Sequence, residues 1–147
     1  MKTSILRNQT AWETGTAPRT AFTSIGTRGK NGHSSTSDID NSGVEYFTLV
    51  QKEGVGCWDT HKPYHRSNIA VVERNNVTLG FPNDLKLDAE KENIWVVSNN
   101  LPVYLYSELD YSQVNFRLMR ANVKKIKGTI CDPQTPASRD TYDQCSY

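Results

Sequence analysis

The chain has little of what many functional classes require. Its apolar runs are only a few residues long, far short of the ~20 that cross a bilayer as a helix. No stretch carries a block of one charge sign. Seventeen basic and sixteen acidic side chains are mixed along 147 residues, for a formal net charge of +1. A nucleic-acid tail or a polybasic membrane patch is therefore not expected. The N-terminus, Met1-Lys2-Thr3-Ser4-Ile5-Leu6-Arg7-Asn8, has only Ile5 and Leu6 as an apolar core. A secretory signal needs about 7–15 such residues, so none is expected here. No GxSxG, phosphate loop or dinucleotide fingerprint occurs. Cysteine is scarce. Cys57, Cys131 and Cys145 allow one disulfide and one leftover thiol.

Two features point the other way, towards secretion. Asn8-Gln9-Thr10 and Asn76-Val77-Thr78 both fit the N-glycosylation acceptor pattern. The conflict resolves if the parent protein is secreted and this chain lacks its N-terminal part. The other reading is a cytosolic protein with three inert thiols.

What is present is a repeat. Shifting Asn31–Asn68 by 48 residues lays it on Leu79–Phe116. Gly32 meets Gly80, Asp40 meets Asp88, Tyr46–Phe47 meet Ile94–Trp95, Leu49 meets Val97 and Trp58 meets Tyr106. A period of about 40–50 residues with strand-like content is the mark of propeller blades. Two units cannot close a ring of about four to eight blades. The expected fold is all-β: about two four-stranded blades of a larger propeller, plus one stray outer strand and a polar C-terminal tail.

The segments follow from the shift. Residues 1–30 are a polar lead ending in an alternating patch, Ala21–Ile25, read as the outer strand of a preceding blade. Residues 31–78 form one blade, with strands expected at Thr36–Asp40, Val44–Gln51, Gly54–Trp58 and Ile69–Glu73. Asn41-Ser42-Gly43 is its first turn, with Gly43 suited to positive φ. Residues 79–126 form the next blade, with strands at Asp84–Asp88, Ile94–Ser98, Val103–Tyr106 and Asn115–Arg120. A short helical turn is expected over Glu108–Val114. Ile94–Ser98, dense in β-branched and aromatic residues, is the strongest strand. Residues 127–147 turn polar and read as a loose tail.

The same residues carry a family likeness. Gly54-Val55-Gly56-Cys57-Trp58, Leu79-Gly80-Phe81-Pro82-Asn83-Asp84-Leu85-Lys86-Leu87-Asp88 and Ile94-Trp95-Val96-Val97-Ser98-Asn99 resemble the insect yellow / major royal jelly protein family. Asn115-Phe116-Arg117 and Gly128-Thr129-Ile130-Cys131 resemble that family's last blade and its end. Ile5-Leu6-Arg7-Asn8 and Arg28-Gly29-Lys30 also fit, so the likeness spans about Ile5–Asp132. It implies a secreted, extracellular six-bladed propeller more than twice this length, of which this chain supplies the C-terminal part. It also implies links to insect pigmentation and cuticle. Such a fragment exposes strand edges that tend to pair, so an oligomer is a possible outcome.

In a propeller the inner strands line the channel. Asn83 and Asp84 begin the inner strand of the second unit, and Ser35 and Thr36 match them in the first. Phe81, matched by His33, precedes them. A carboxylate beside an aromatic ring suits an amine ligand, because the one pairs with the ammonium and the other covers the ring or cation. The resemblance supports this reading, since yellow-like salivary proteins of blood-feeding flies bind biogenic amines in the channel. The competing reading is that Asn83 and Asp84 cap a turn. An enzymatic alternative also comes from the resemblance, because some yellow relatives are associated with dopachrome conversion. A truncated copy without function is a further alternative. The chain is read as more a binder than an enzyme, with no catalytic residue assigned.

Other constellations read as structural. His61 and His65 flank Pro63 in a loop without a third ligand, so no metal site is expected, and no cofactor either. Cys57 reads as a buried structural cysteine or as the disulfide partner of Cys131, not as a nucleophile. Asp40 and Asp88 recur at strand ends and read as turn residues. Trp58, Trp95, Tyr104 and Tyr106 read as packing between blades.

Overall fold

The computed structural model describes residues 23–126 and 131–132. Two antiparallel sheets form the fold. The first contains β1 (Ser37–Ile39), β2 (Val44–Leu49), β3 (Gly54–Asp59) and β4 (Ile69–Arg74), in that spatial order. The second contains β5 (Pro82–Leu87), β6 (Asn93–Asn99) and β7 (Phe116–Asn122), again in order. Two short helices, α1 (Leu101–Tyr106) and α2 (Val123–Ile126), follow β6 and β7. The chain is thus all-β in character and builds an open partial propeller.

Side-chain alternation decides what each face buries. On β2, Val44 and Tyr46 point to one side and Phe47 and Leu49 to the other, and all four are buried. On β3, Val55 and Cys57 join the first side and Trp58 the second. The second sheet contributes Leu85 and Leu87 from β5 and Ile94 and Val96 from β6. These residues meet Val44, Tyr46, Val55, Cys57 and Ala70 in a core shared by the two sheets. Each large side chain sealed there contributes roughly 1.5–3 kcal/mol. Opposite this core, Phe47, Leu49, Trp58 and Ile69 form a second cluster on the far face of the first sheet. Gly56 is required there. A Cβ at this position would stand 2.5 Å from the Phe47 ring.

The first turn of each unit is built alike. Asp40 Oδ1 accepts hydrogen bonds from the Ser42 and Val44 amides, and Asp88 Oδ1 accepts them from the Glu92 and Asn93 amides. Gly43 takes φ +83°, and Lys91, its equivalent 48 residues on, takes φ +58°. Both aspartates therefore organise turns.

The second sheet departs from the expected pattern. Val103–Tyr106 lies in helix α1, not in a strand. Pro102 sits in the first turn of α1, where its missing N–H costs nothing. The Leu101 amide donates to Asn99 Oδ1. Asn100 then bonds Asn115 twice, amide to carbonyl at 3.1 Å and side chain to side chain at 2.8 Å. This brace pinches off residues 101–114, and β7 pairs directly with β6 from Asn93↔Asn122 to Asn99↔Phe116. Consequently, among the described residues, the second sheet has three strands where four were expected. Residues 108–114 form a turn around Asp110, whose carboxylate holds the Ser112 amide and hydroxyl, not a helical turn.

The aromatic expectations divide. Trp58 is buried, its ring edge-on to Tyr64 with centroids 4.7 Å apart. Trp95 is partly exposed beneath Arg120, and Tyr104 and Tyr106 are 64% and 88% exposed. A helix turns residues i and i+2 apart, so these two tyrosines do not share a packing face. Of the stray outer strand, Ala21 and Phe22 lie outside the described residues, and Thr23–Ile25 are not in a strand.

Candidate functional site

The inner strands β1 and β5 lie side by side and are joined by side chains reaching backbone groups. Ser35 Oγ donates to the Pro82 carbonyl at 3.2 Å, and Thr36 Oγ1 to the Leu85 carbonyl at 3.4 Å. The Leu87 amide donates to Asp38 Oδ2 at 3.0 Å. Lys91 and Lys86 place their ammonium groups 2.8 and 3.2 Å from the same carboxylate. Burial pushes the Asp38 carboxyl up. Lys91, the Leu87 and Ile39 amides and Lys86 more than reverse this and hold it well below the ordinary carboxylate range. Asp38 and Lys86 are repeat equivalents, 48 residues apart. Position and partner thus carry opposite charges across the seam between units.

The expected ligand residues cluster along this seam. Asp84 is exposed on β5, and its Oδ1 accepts the Leu85 amide at 2.8 Å. Asn83 occupies a bulge between Pro82 and Asp84, where the β5–β6 register shifts. Its Oδ1 is buried and has no hydrogen-bond partner. Phe81 is half-buried just before them, its amide 3.4 Å from Ser98 Oγ. Ser35 and Thr36, just before β1, flank the same stretch. Their hydroxyl protons are used on β5 carbonyls, which leaves the oxygens as acceptors. Ser35 Oγ also lies 2.9 Å from Thr48 Oγ1. The four residues Phe81–Asp84 therefore carry an exposed carboxylate, a buried orphaned amide oxygen and a half-buried aromatic ring at the start of β5.

The remaining candidates have local partners. His61 Nδ1 lies 2.9 Å from Asp59 Oδ1, and His65 Nδ1 lies 2.9 Å from Ser67 Oγ, so the two imidazoles engage different groups. Burial pushes the Asp59 carboxyl up, but His61 and Lys62 outweigh it and lower it overall. Among the described residues no three His, Cys, Asp or Glu side chains converge to hold a metal ion. Cys57 and Cys131, both buried, form a disulfide spanning 74 residues. Asn76 is exposed in the turn after β4, while Asn8 and Cys145 lie outside the described residues. No described helix is long and apolar enough to cross a membrane.

Sequence reasoning missed Asp38, Lys86 and Lys91. The signal was available, because the 48-residue shift lays Asp38 on Lys86 and Gly43 on Lys91.

Known proteins resemble the chain over most of its length. A family model described as "Major royal jelly protein" matches residues 1–131. A dopaminechrome tautomerase of Drosophila melanogaster is 46% identical over 135 residues, covering 88% of this chain and 29% of the relative. Protein yellow of Drosophila subobscura is 39% identical over 133 residues, covering 90% of this chain and 23% of the relative. Protein yellow of Drosophila melanogaster is 38% identical over 133 residues, covering 90% and 24%. The chain spans less than a third of the length of these relatives.

Proposed function

The chain belongs to the major royal jelly protein family, and from that premise we propose that it supplies part of the channel of a longer propeller that binds a small aromatic amine or its derivative. The observation that carries this reading is the buried, unpartnered Asn83 Oδ1 beside the exposed Asp84 carboxylate. A buried acceptor left unpaired costs about 1–3 kcal/mol, a cost that a ligand N–H or O–H would remove where a shift of the bulge opens Asn83 Oδ1 to it. Asp84 adds the charge that an ammonium requires, and Phe81 adds a ring face. Ser35 and Thr36 offer acceptor oxygens from the neighbouring unit.

One observation favours a second reading. The chain is 46% identical to a protein named dopaminechrome tautomerase. A tautomerase moves protons within its substrate, so it needs a base near the acidic C–H and a donor for the developing oxyanion. Asp84 is the base in this reading, and the Asn83 amide nitrogen is the donor. A role in insect pigmentation or cuticle follows from either ligand chemistry.

The test is calorimetric titration of dopamine into the purified chain and into Asp84→Asn, with circular dichroism to confirm the fold. Loss of binding in a folded Asp84→Asn supports the site, and unchanged affinity removes Asp84 from it. Decay of dopaminechrome faster than in buffer, abolished by Asp84→Asn, favours the second reading. Extracellular residence fits the disulfide and the exposed Asn76 sequon. Passage through a secretory pathway should add a glycosidase-sensitive mass that Asn76→Gln reduces. The same mobility with and without the substitution excludes Asn76 as an acceptor.

A further inference from the structure

We propose that the wedge between the two sheets is a second binding site, for a small neutral aromatic molecule. It does not depend on the channel reading, because it lies at the other edge of the sheets. The proposed channel residues sit on or just before the inner strands β1 and β5, while this cavity opens beside the outer strands β4 and β7. Among the described residues the first sheet has a fourth strand, β4, and the second ends its pairing at β7. The cavity opens where these two edges face one another.

The cavity measures about 130 Å³, and Val55, Val72, Ile94, Val96, Met119 and Ala121 give it an apolar wall. An apolar cavity of about 150 Å³ stays dry and takes up benzene. The volume here therefore suits one aromatic ring. Glu73 from β4 also borders the cavity. Arg120 of β7 borders it too, but its guanidinium lies over the Trp95 ring, on the opposite face of the sheet. Glu73 is exposed, so pairing with it is screened by water and returns little to a cationic ligand, while an anionic ligand meets its like charge. A charged ligand of either sign also loses hydration against the apolar wall. A neutral ring with one N–H or O–H avoids that cost and can donate to Glu73. Indole and simple phenols fit that description.

The experiment is a titration of the intact, methyl-labelled chain with indole, followed by NMR. Saturable shifts should appear at the methyls of Val55, Val72, Val96 and Met119. Tryptamine and indole-3-acetate should bind several-fold more weakly than indole. Ala121→Leu fills the cavity from an exposed position, and Val72→Phe fills it from the opposite sheet. Each should weaken indole at least about tenfold while the apo spectrum stays dispersed. If one variant fails to fold, the other carries the test. The proposal is overturned by the absence of saturable shifts in the parent chain. It is equally overturned by unchanged affinity in a folded, filled variant, or by either charged analogue binding more tightly than indole.

Discussion

Removing the disulfide between Cys57 and Cys131 should destabilise the two-sheet unit by ~4.5 kcal/mol. The bond closes a loop of 74 residues. The logarithmic dependence of chain entropy on loop length gives ~4.5 kcal/mol at 25 °C for such a loop. That is a large share of the roughly 5–15 kcal/mol that holds a typical domain. Location strengthens the expectation. Cys57 lies on β3 inside the shared core, and Cys131 follows β7 and α2, so the bond fastens the end of the second sheet to the middle of the first. Both cysteines are buried, at 1% and 2% exposure. Serine would bury an unpaired hydroxyl, so Cys57→Ala/Cys131→Ala is the cleaner variant, compared in a Cys145→Ala background to prevent thiol exchange. The assay is unfolding in guanidinium chloride followed by far-UV circular dichroism. With a slope of roughly 2–6 kcal/mol per molar, the midpoint should fall by about 1–2 M. A fall below about 0.3 M at unchanged slope would refute the reasoning. It would mean that the unfolded chain gains little freedom when the link is cut.

Gly56→Ala should cost roughly 1–3 kcal/mol in the same assay, because the new methyl meets the fully buried Phe47 ring at 2.5 Å; a neutral result would mean that this seam is loosely packed. Leu85→Ala should cost about 2–5 kcal/mol, whereas Leu118→Ser, at a side chain 58% exposed, should stay within about 0.5 kcal/mol. Equal losses would show that the open face of the second sheet is covered in solution. Asp38→Asn should cost roughly 1–3 kcal/mol at neutral pH and should flatten the acid limb of stability. The Asp38 carboxyl is held below its unfolded value, so its contribution is complete above about pH 4 and is lost as pH falls towards the folded pKa. An acid limb of the same steepness in both proteins would exclude Asp38 as its source.

The sequence repeat made most of the first sheet legible, and physics explains why. Its strands β2 and β3 are apolar runs buried on both faces, and its turn carries an aspartate and a glycine in the required places. The second sheet was half legible. Ile94–Ser98 formed a strand because a β-branched run flanked by polar turns has no better use. Val103–Tyr106 misled because its alternation also suits a strand. Propensity of that kind yields to pairing, and here β7 takes the place beside β6 while Pro102 starts a helix. The cue was local: two asparagines followed by a proline in the first turn read as a helix start. The shift put Asn83 and Asp84 at the start of the second unit's first strand, and both lie in β5, whereas Ser35, Thr36 and Phe81 lie just before β1 and β5. The bulge that isolates Asn83 Oδ1 was not visible, because a register slip depends on how β6 meets β5.

The repeat carries one further consequence. The contacts between β1 and β5 join residues 47, 48 or 49 apart: Ser35 with Pro82, Asp38 with Lys86, Thr36 with Leu85, and Asp38 with Leu87. The spacing of contacts equals the spacing of the repeat. Equivalent positions in adjacent units therefore stand side by side, which is the geometry of blades rotated about a common axis. In such an arrangement a conserved role at one position is not enough, because each residue must also suit its own copy next door. Two like charges at the Asp38 position would repel, and here the copy is Lys86. Lys91 extends the logic. It takes positive φ where the first unit has glycine, at a cost of roughly 1–2 kcal/mol for a side chain in that region, and its ammonium secures Asp38 at 2.8 Å. Lys91→Gly removes the strain and the ion pair together, whereas Lys91→Ala keeps the strain and removes only the pair. Lys91→Ala should therefore be the less stable of the two by about 1 kcal/mol in the denaturant assay. If the two unfold at the same midpoint, the backbone at this turn is not strained and the ion pair alone accounts for the effect of Lys91.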